Sequence, residues 1–150
     1  MLIKDKVKYL IEKYDTNCPF EIAKAMGIYI EYENLGNVLG YYSKHFRVPI
    51  IHINENASCK IQRFICTHEL GHAVLHPDTN TSFLKRHTLF SNEKIEIEAN
   101  SFAIEFLLPD ELFTDQTNSY FTIYDAIEAN GIPPQLVALK NIDGKIFIKK

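Results

Sequence analysis

The sequence predicts an α+β fold in which a small antiparallel sheet is packed with helices. Three observations predict it. Apolar residues recur every three or four positions near the N-terminus and again from residue 58 onward. Between Ile28 and Ile53 the period falls to two. No repeat, low-complexity tract or linker interrupts the 150 residues, so a single domain over residues 1–150 is expected.

The elements follow in order. Ile3, Val7, Leu10, Ile11 and Tyr14 mark one face of a first helix. A second, short helix opens at Pro19, because proline suits a first turn, and stops near Gly27. Ile28, Ile30 and Tyr32 then alternate with Tyr29, Glu31 and Glu33 as in a half-buried strand. Tyr41 and Tyr42 suggest a second strand, and Val48 to Ile53 a third. From Ser58 the residues Ile61, Phe64, Ile65, His68, His72 and Leu75 share a broad helical face that Pro77 ends. Asp78 to Asn92 lacks a period and reads as a long loop of the kind that is often functional. A further helix opens near Glu93 and Lys94, with Ser91 or Asn92 as N-cap, and runs to Pro109. Two short helical patterns, Ile123 to Ala129 and Pro134 to Lys140, and a short strand at Lys145 to Ile148 complete the chain.

Composition narrows the function classes. Apolar residues make up 46% and charged residues 23%, the mixture of a folded globular chain. A net charge of −3 supplies no bulk field for nucleic acid or an anionic membrane. The paired tail helices resemble a helix-turn-helix outline, but Asp125, Glu128 and a single Lys140 are the wrong balance for phosphate contact. No apolar run approaches the roughly 20 residues of a membrane helix, and the N-terminus turns charged too soon for a secretory signal. Three cysteines, Cys18, Cys59 and Cys66, do not form a disulfide framework, which points to the cytoplasm. Cys59 and Cys66 read as buried structural thiols.

The chemistry lies in His68-Glu69-Leu70-Gly71-His72. Histidines four apart project from one helix face and can meet one metal ion, and the glutamate between them is placed to take a proton from an attacking water. A catalytic zinc site also needs a third protein ligand and an open position. His76 continues the series, but it sits about 12 Å along the axis from His68 and reads as a surface or supporting histidine. Asp78 lies ten residues after His68, yet Leu75 stands where the corresponding extended zinc motif requires glycine. On the later helix Glu93 lies in the first turn and Glu98 points about 160° from Glu96. Glu96 shares a stripe with Asn100, Ala103 and Leu107 beside the apolar face, which makes it the best third ligand. Asn100, one turn on, is placed to orient a ligand histidine. Tyr41, Tyr42 and His87 are candidate donors to a transition-state oxyanion.

Gln62-Arg63-Phe64 leading into the histidine motif, then Glu96-Ile97-Glu98-Ala99-Asn100-Ser101-Phe102-Ala103 and Leu107-Leu108-Pro109, resembles the ImmA/IrrE family of metallopeptidases. The resemblance covers Pro19 to Leu112. It implies a gluzincin-like zinc site on a zincin-like active-site helix, with His68, His72 and Glu96 at the ligand positions. It further implies cleavage of repressors, including those of phages or mobile elements. The expected protein is therefore a cytoplasmic zinc endopeptidase with Glu69 as its catalytic base and zinc as its cofactor. Its partner would be a protein substrate such as a helix-turn-helix transcriptional repressor, with no direct nucleic acid or membrane partner. The rival reading is a metal-containing regulator that acts by contact, as an antitoxin-like partner would. An intact Glu69 favours the enzyme, since metal binding alone needs no carboxylate there.

Overall fold

The computed structural model describes residues 2–81, 83–85, 89, 91–113 and 123–140. Helix α1 spans Ile3–Tyr14 and α2 spans Pro19–Ala25. Strands β1 (Tyr29–Glu33), β2 (Val38–His45) and β3 (Val48–Asn54) precede the long helix α3, Cys59–Leu75. A two-residue strand β4, Leu84–Lys85, then leads to α4, Lys94–Leu107. A 3₁₀ turn at Asp110–Phe113, helix α5 (Ile123–Ala129) and a 3₁₀ segment at Pro134–Leu139 follow. The second tail pattern is thus helical but tighter than an α-helix. Residues 145–148 lie outside the described residues.

The α+β class stands, while the sheet is mixed rather than wholly antiparallel. Its order is β1-β3-β2-β4, and β2 pairs antiparallel with both β3 and β4. β1 runs parallel to β3, with Tyr29 opposite Ile50 and Glu33 opposite Asn54. The hairpin strand β3 therefore inserts between β1 and β2, which are consecutive in sequence but not neighbours in the sheet. One face of the hairpin buries Tyr42, Ile51 and Ile53, and both strands pack on α3. The alternation in β1 is weaker than its sequence suggests: Ile28 is buried and Ile30 half-buried, whereas Tyr32 is exposed.

On the opposite face His52 joins three strands. Its Nδ1–H donates to Glu33 Oε2 at 2.6 Å, its Nε2 accepts from Ser43 Oγ at 3.0 Å, and its ring stacks on Tyr41 with centroids 4.0 Å apart. Across the core, α4 is covered nearly all round, with Ala99, Phe102, Ala103, Ile104, Phe106 and Leu107 buried. It lies between α1 and α3. That central position makes any polar side chain on α4 costly unless it is partnered.

Candidate metal centre

α3 begins at an N-cap, Ser58, whose hydroxyl oxygen accepts from the Ile61 N–H at 3.3 Å. From Phe64 to Ala73 every residue of this helix is buried. His68 and His72 thus sit in the core, each only 1% exposed, one turn apart with ring centroids 4.9 Å from each other. Gly71 lies on the side facing α4. A Cβ there would approach Phe102 Cβ to 3.0 Å, so the missing side chain lets the two helices come close.

That closeness carries Glu96 across to the histidines. Its Oε1 lies 3.2 Å from His68 Nε2, and its Oε2 lies 3.2 Å from His72 Nε2. Both rings therefore aim the same nitrogen at one carboxylate. The opposite nitrogen of His68 is anchored: Nδ1–H donates to Asn100 Oδ1 at 2.9 Å, and Asn100 Nδ2 donates to the Leu89 carbonyl at 2.8 Å. This network places a proton on His68 Nδ1, and in the metal-free chain the Glu96 contact places a second on Nε2. Burial lowers the His68 pKa, but the Glu96 hydrogen bond and the nearby carboxylates outweigh burial and raise it. His68, Glu69 and His72 also offer donor atoms that all lie within 4.8 Å of one another.

The two carboxyls of the site differ in character. Burial raises the Glu96 pKa, but hydrogen bonds from His68 and His72 and their charge outweigh it and hold the group down to about 2. Glu69 is pushed up to about 8, chiefly by burial, with the His68 charge opposing and the Glu96 charge adding. Both Glu69 carboxylate oxygens are buried without a hydrogen-bond partner among the described residues. An orphaned carboxylate at such depth is expensive. Two imidazoles, an ionised carboxylate and an unpartnered carboxyl make a donor set that fits a divalent ion with an attendant water. Burial lowers the pKa of His72, which suits a neutral imidazole in this setting.

The IrrE N-terminal-like domain of the peptidase M78 family matches residues 23–138. The chain belongs to this family. "Metallopeptidase ImmA" of Bacillus subtilis (strain 168) is 36% identical over 115 residues, covering 75% of this chain and 67% of that protein. A protein of Bacillus phage phi105 named "Uncharacterized immunity region protein 2" is 44% identical over 142 residues, covering 94% of this chain and 90% of that one. The family is one of metallopeptidases, so a metal ion belongs to it.

Within this M78 chain the structure brings His68, Glu69, His72, Glu96 and Asn100 together. It does not bring in Asp78, whose side chain is 89% exposed and pairs with Lys44 at 3.3 Å. Glu93 is an exposed residue at the N-cap of α4, with its N–H donated to the Ser91 hydroxyl at 3.1 Å. The Tyr42 phenol donates to the Pro77 carbonyl, and Tyr41 is engaged with His52. His87 lies outside the described residues. Cys66 is buried, and burial lifts its thiol pKa far above the ordinary range. Cys59, by contrast, is exposed, because the first turn of α3 stands clear of the core. Among the described residues no helix is long and apolar enough to cross a membrane.

One contact gives partners to His76, which by sequence reads as a surface or supporting histidine. His76 Nδ1 lies 3.2 Å from His72 Nδ1, and His76 Nε2 lies 2.7 Å from Glu98 Oε1. By spacing, Glu98 points about 160° from Glu96 and away from the ligand stripe. Its carboxylate meets His76 at the end of α3.

Proposed function

We propose that this metallopeptidase is a zinc-dependent endopeptidase, one metallopeptidase-like domain over residues 1–150, working in the cytoplasm on a protein substrate. His68, His72 and Glu96 would hold the zinc, and Glu69 would be the catalytic base. The observation that carries this reading is the buried Glu69 carboxyl, unpartnered and beside the two imidazoles. A regulator acting by contact alone leaves that group without a purpose.

When bound, the ion supplies Lewis acidity toward a water and the scissile carbonyl. The chain's own residues do the rest. In the metal-free chain Glu69, pushed up to about 8, keeps its proton near neutral pH; a divalent cation beside it would favour the carboxylate, the form that accepts a proton from the attacking water. As the water oxygen bonds to the carbonyl carbon, Glu69 holds that proton. It then passes the proton to the amide nitrogen as the C–N bond breaks, which releases the amine. Asn100 keeps the His68 ring oriented throughout. Glu96, held down to about 2, stays ionised across this cycle and remains a ligand rather than a second base.

The names of the two relatives support a repressor as the substrate. One is called ImmA, and the other comes from a phage immunity region. We assign the substrate class as a transcriptional repressor of the phage or mobile-element type. Zinc-loaded protein mixed with repressors encoded beside its gene should produce one discrete cut, abolished by Glu69→Gln. Intact repressor after incubation with protein of verified zinc content would overturn the substrate assignment.

A further inference from the structure

We propose that His76 and Glu98 are positioning residues for the metal centre, fixing the His72 ring as Asn100 fixes that of His68. The inference rests on the metal-centre reading above and adds a second support that reaches His72 from the opposite side.

The hydrogen inventory of a metal-loaded centre sets the arrangement. A carboxylate only accepts, so at 2.7 Å from Glu98 Oε1 the His76 Nε2 must carry a proton and donate it. With its proton on Nε2, the His76 ring can accept at Nδ1. The 3.2 Å contact between the two Nδ1 atoms requires one donor, and that donor is His72. With a proton held on Nδ1, His72 would release the Nε2 proton that it donates to Glu96 in the metal-free chain and offer that lone pair to the ion. Each link sets the next, from Glu98 through His76 to the inward nitrogen.

The backbone explains how His76 reaches this position. α3 ends at Leu75, and His76 leaves the helix with φ −136° and ψ 58°. Its N–H still donates to the His72 carbonyl at 2.7 Å. The residue is therefore tied to His72 through the main chain while its ring swings beside that of His72, centroids 5.4 Å apart. The His76 side chain is 12% exposed and that of Glu98 33%, so the pair closes the outer rim of the centre rather than lying free on the surface. α3 and α4 each contribute to this contact, His76 from the end of one and Glu98 from the other, so the same two helices are joined outside the site as well as across it.

The test is zinc affinity by chelator competition on the full chain, with the thermal midpoint of the metal-free protein measured alongside. His76→Phe keeps a ring but removes the acceptor, and Glu98→Leu removes the anchor. Each should weaken zinc binding by about 10–100-fold, with metal-free midpoints close to wild type. Glu98→Gln retains an acceptor oxygen and should restore near-wild-type affinity. The double variant His76→Phe/Glu98→Leu should bind no more weakly than His76→Phe alone, because Glu98 acts only through His76. Unchanged affinity in His76→Phe, or additive losses in the double variant, would overturn the proposal. A loss as complete as that of His72→Ala would also overturn it, since His76 would then be a ligand. If His76→Phe fails to melt cooperatively, the Glu98→Leu and Glu98→Gln pair decides: equal affinities overturn the proposal. A wild-type chain that takes up no zinc would overturn both this inference and the reading beneath it.

Discussion

Replacing Glu69 with Gln should stabilise the metal-free protein, by an amount that grows with pH. The carboxyl is fully buried and pushed from 4.5 up to about 8. Between those two values the folded chain keeps a proton that the unfolded chain has released. Stability must therefore fall as pH rises through this window, by about 1.4 kcal/mol per unit. The accumulated loss is about 3 kcal/mol at pH 7 and levels off near 5 kcal/mol above pH 8. The amide of the Glu69→Gln variant stays neutral throughout, so the difference between the two proteins reports this carboxyl together with its coupling to His68. For a chain of this size about 3 kcal/mol corresponds to roughly 10 °C in melting temperature. Thermal melts of chelator-treated wild type and Glu69→Gln should nearly coincide at pH 5 and separate steadily to pH 8. A gap that is constant across this range, or that narrows as pH rises, would refute the reasoning. Read with loss of cleavage in the same variant, the result would describe a base whose presence costs the fold stability.

Zinc content should separate the ligand candidates: His68→Ala, His72→Ala and Glu96→Ala should each lose most of the metal, and Asp78→Ala should keep it, as read by elemental analysis. The acid limb belongs to Glu96. Its carboxyl is held down to about 2, so the stability that it contributes is complete above pH 4.5 and is lost as pH falls toward 2. Metal-free Glu96→Gln should melt with a flatter profile over that interval. Lys140→Ala should destabilise by about 3–5 kcal/mol in denaturant titration, because Lys140 Nζ lies fully buried 2.8 Å from Glu105 Oε1 and 2.7 Å from Asp110 Oδ1. Gly131→Ala should cost about 1–3 kcal/mol by the same titration. The residue has φ +66°, and an added Cβ would come within 2.9 Å of the Lys60 backbone.

The helical parts were legible because one signal fixed both the element and its buried side. The period from Ile61 to Leu75 placed His68 and His72 inward, and the stripe through Glu96 and Asn100 put those two on a common line. Strand pairing was less legible. A period of two identifies faces but not neighbours, so nothing in Ile28 to Glu33 announces that β3 rather than β2 lies alongside, or that the pairing is parallel. Strand β4 is too short for any period to register. The His76–Glu98 contact depends on a helix ending with one non-helical residue and on the rotation of α4. Neither is encoded in the spacing around His76 or Glu98.

The hydrogen bond from Asn100 to the Leu89 carbonyl makes one side chain a shared hinge-pin. The same amide that steadies His68 also fastens a buried point between β4 and α4. Two equilibria then draw on a single residue: the orientation of the His68 ring and the docking of Leu89. Their coupling is reciprocal: metal held at His68 favours the docked Leu89 by the same free energy as the docked Leu89 favours the metal. Metal uptake should slow hydrogen exchange at Leu89. A substrate that holds this point in place should in turn slow the escape of the metal, with no contact to the ion required.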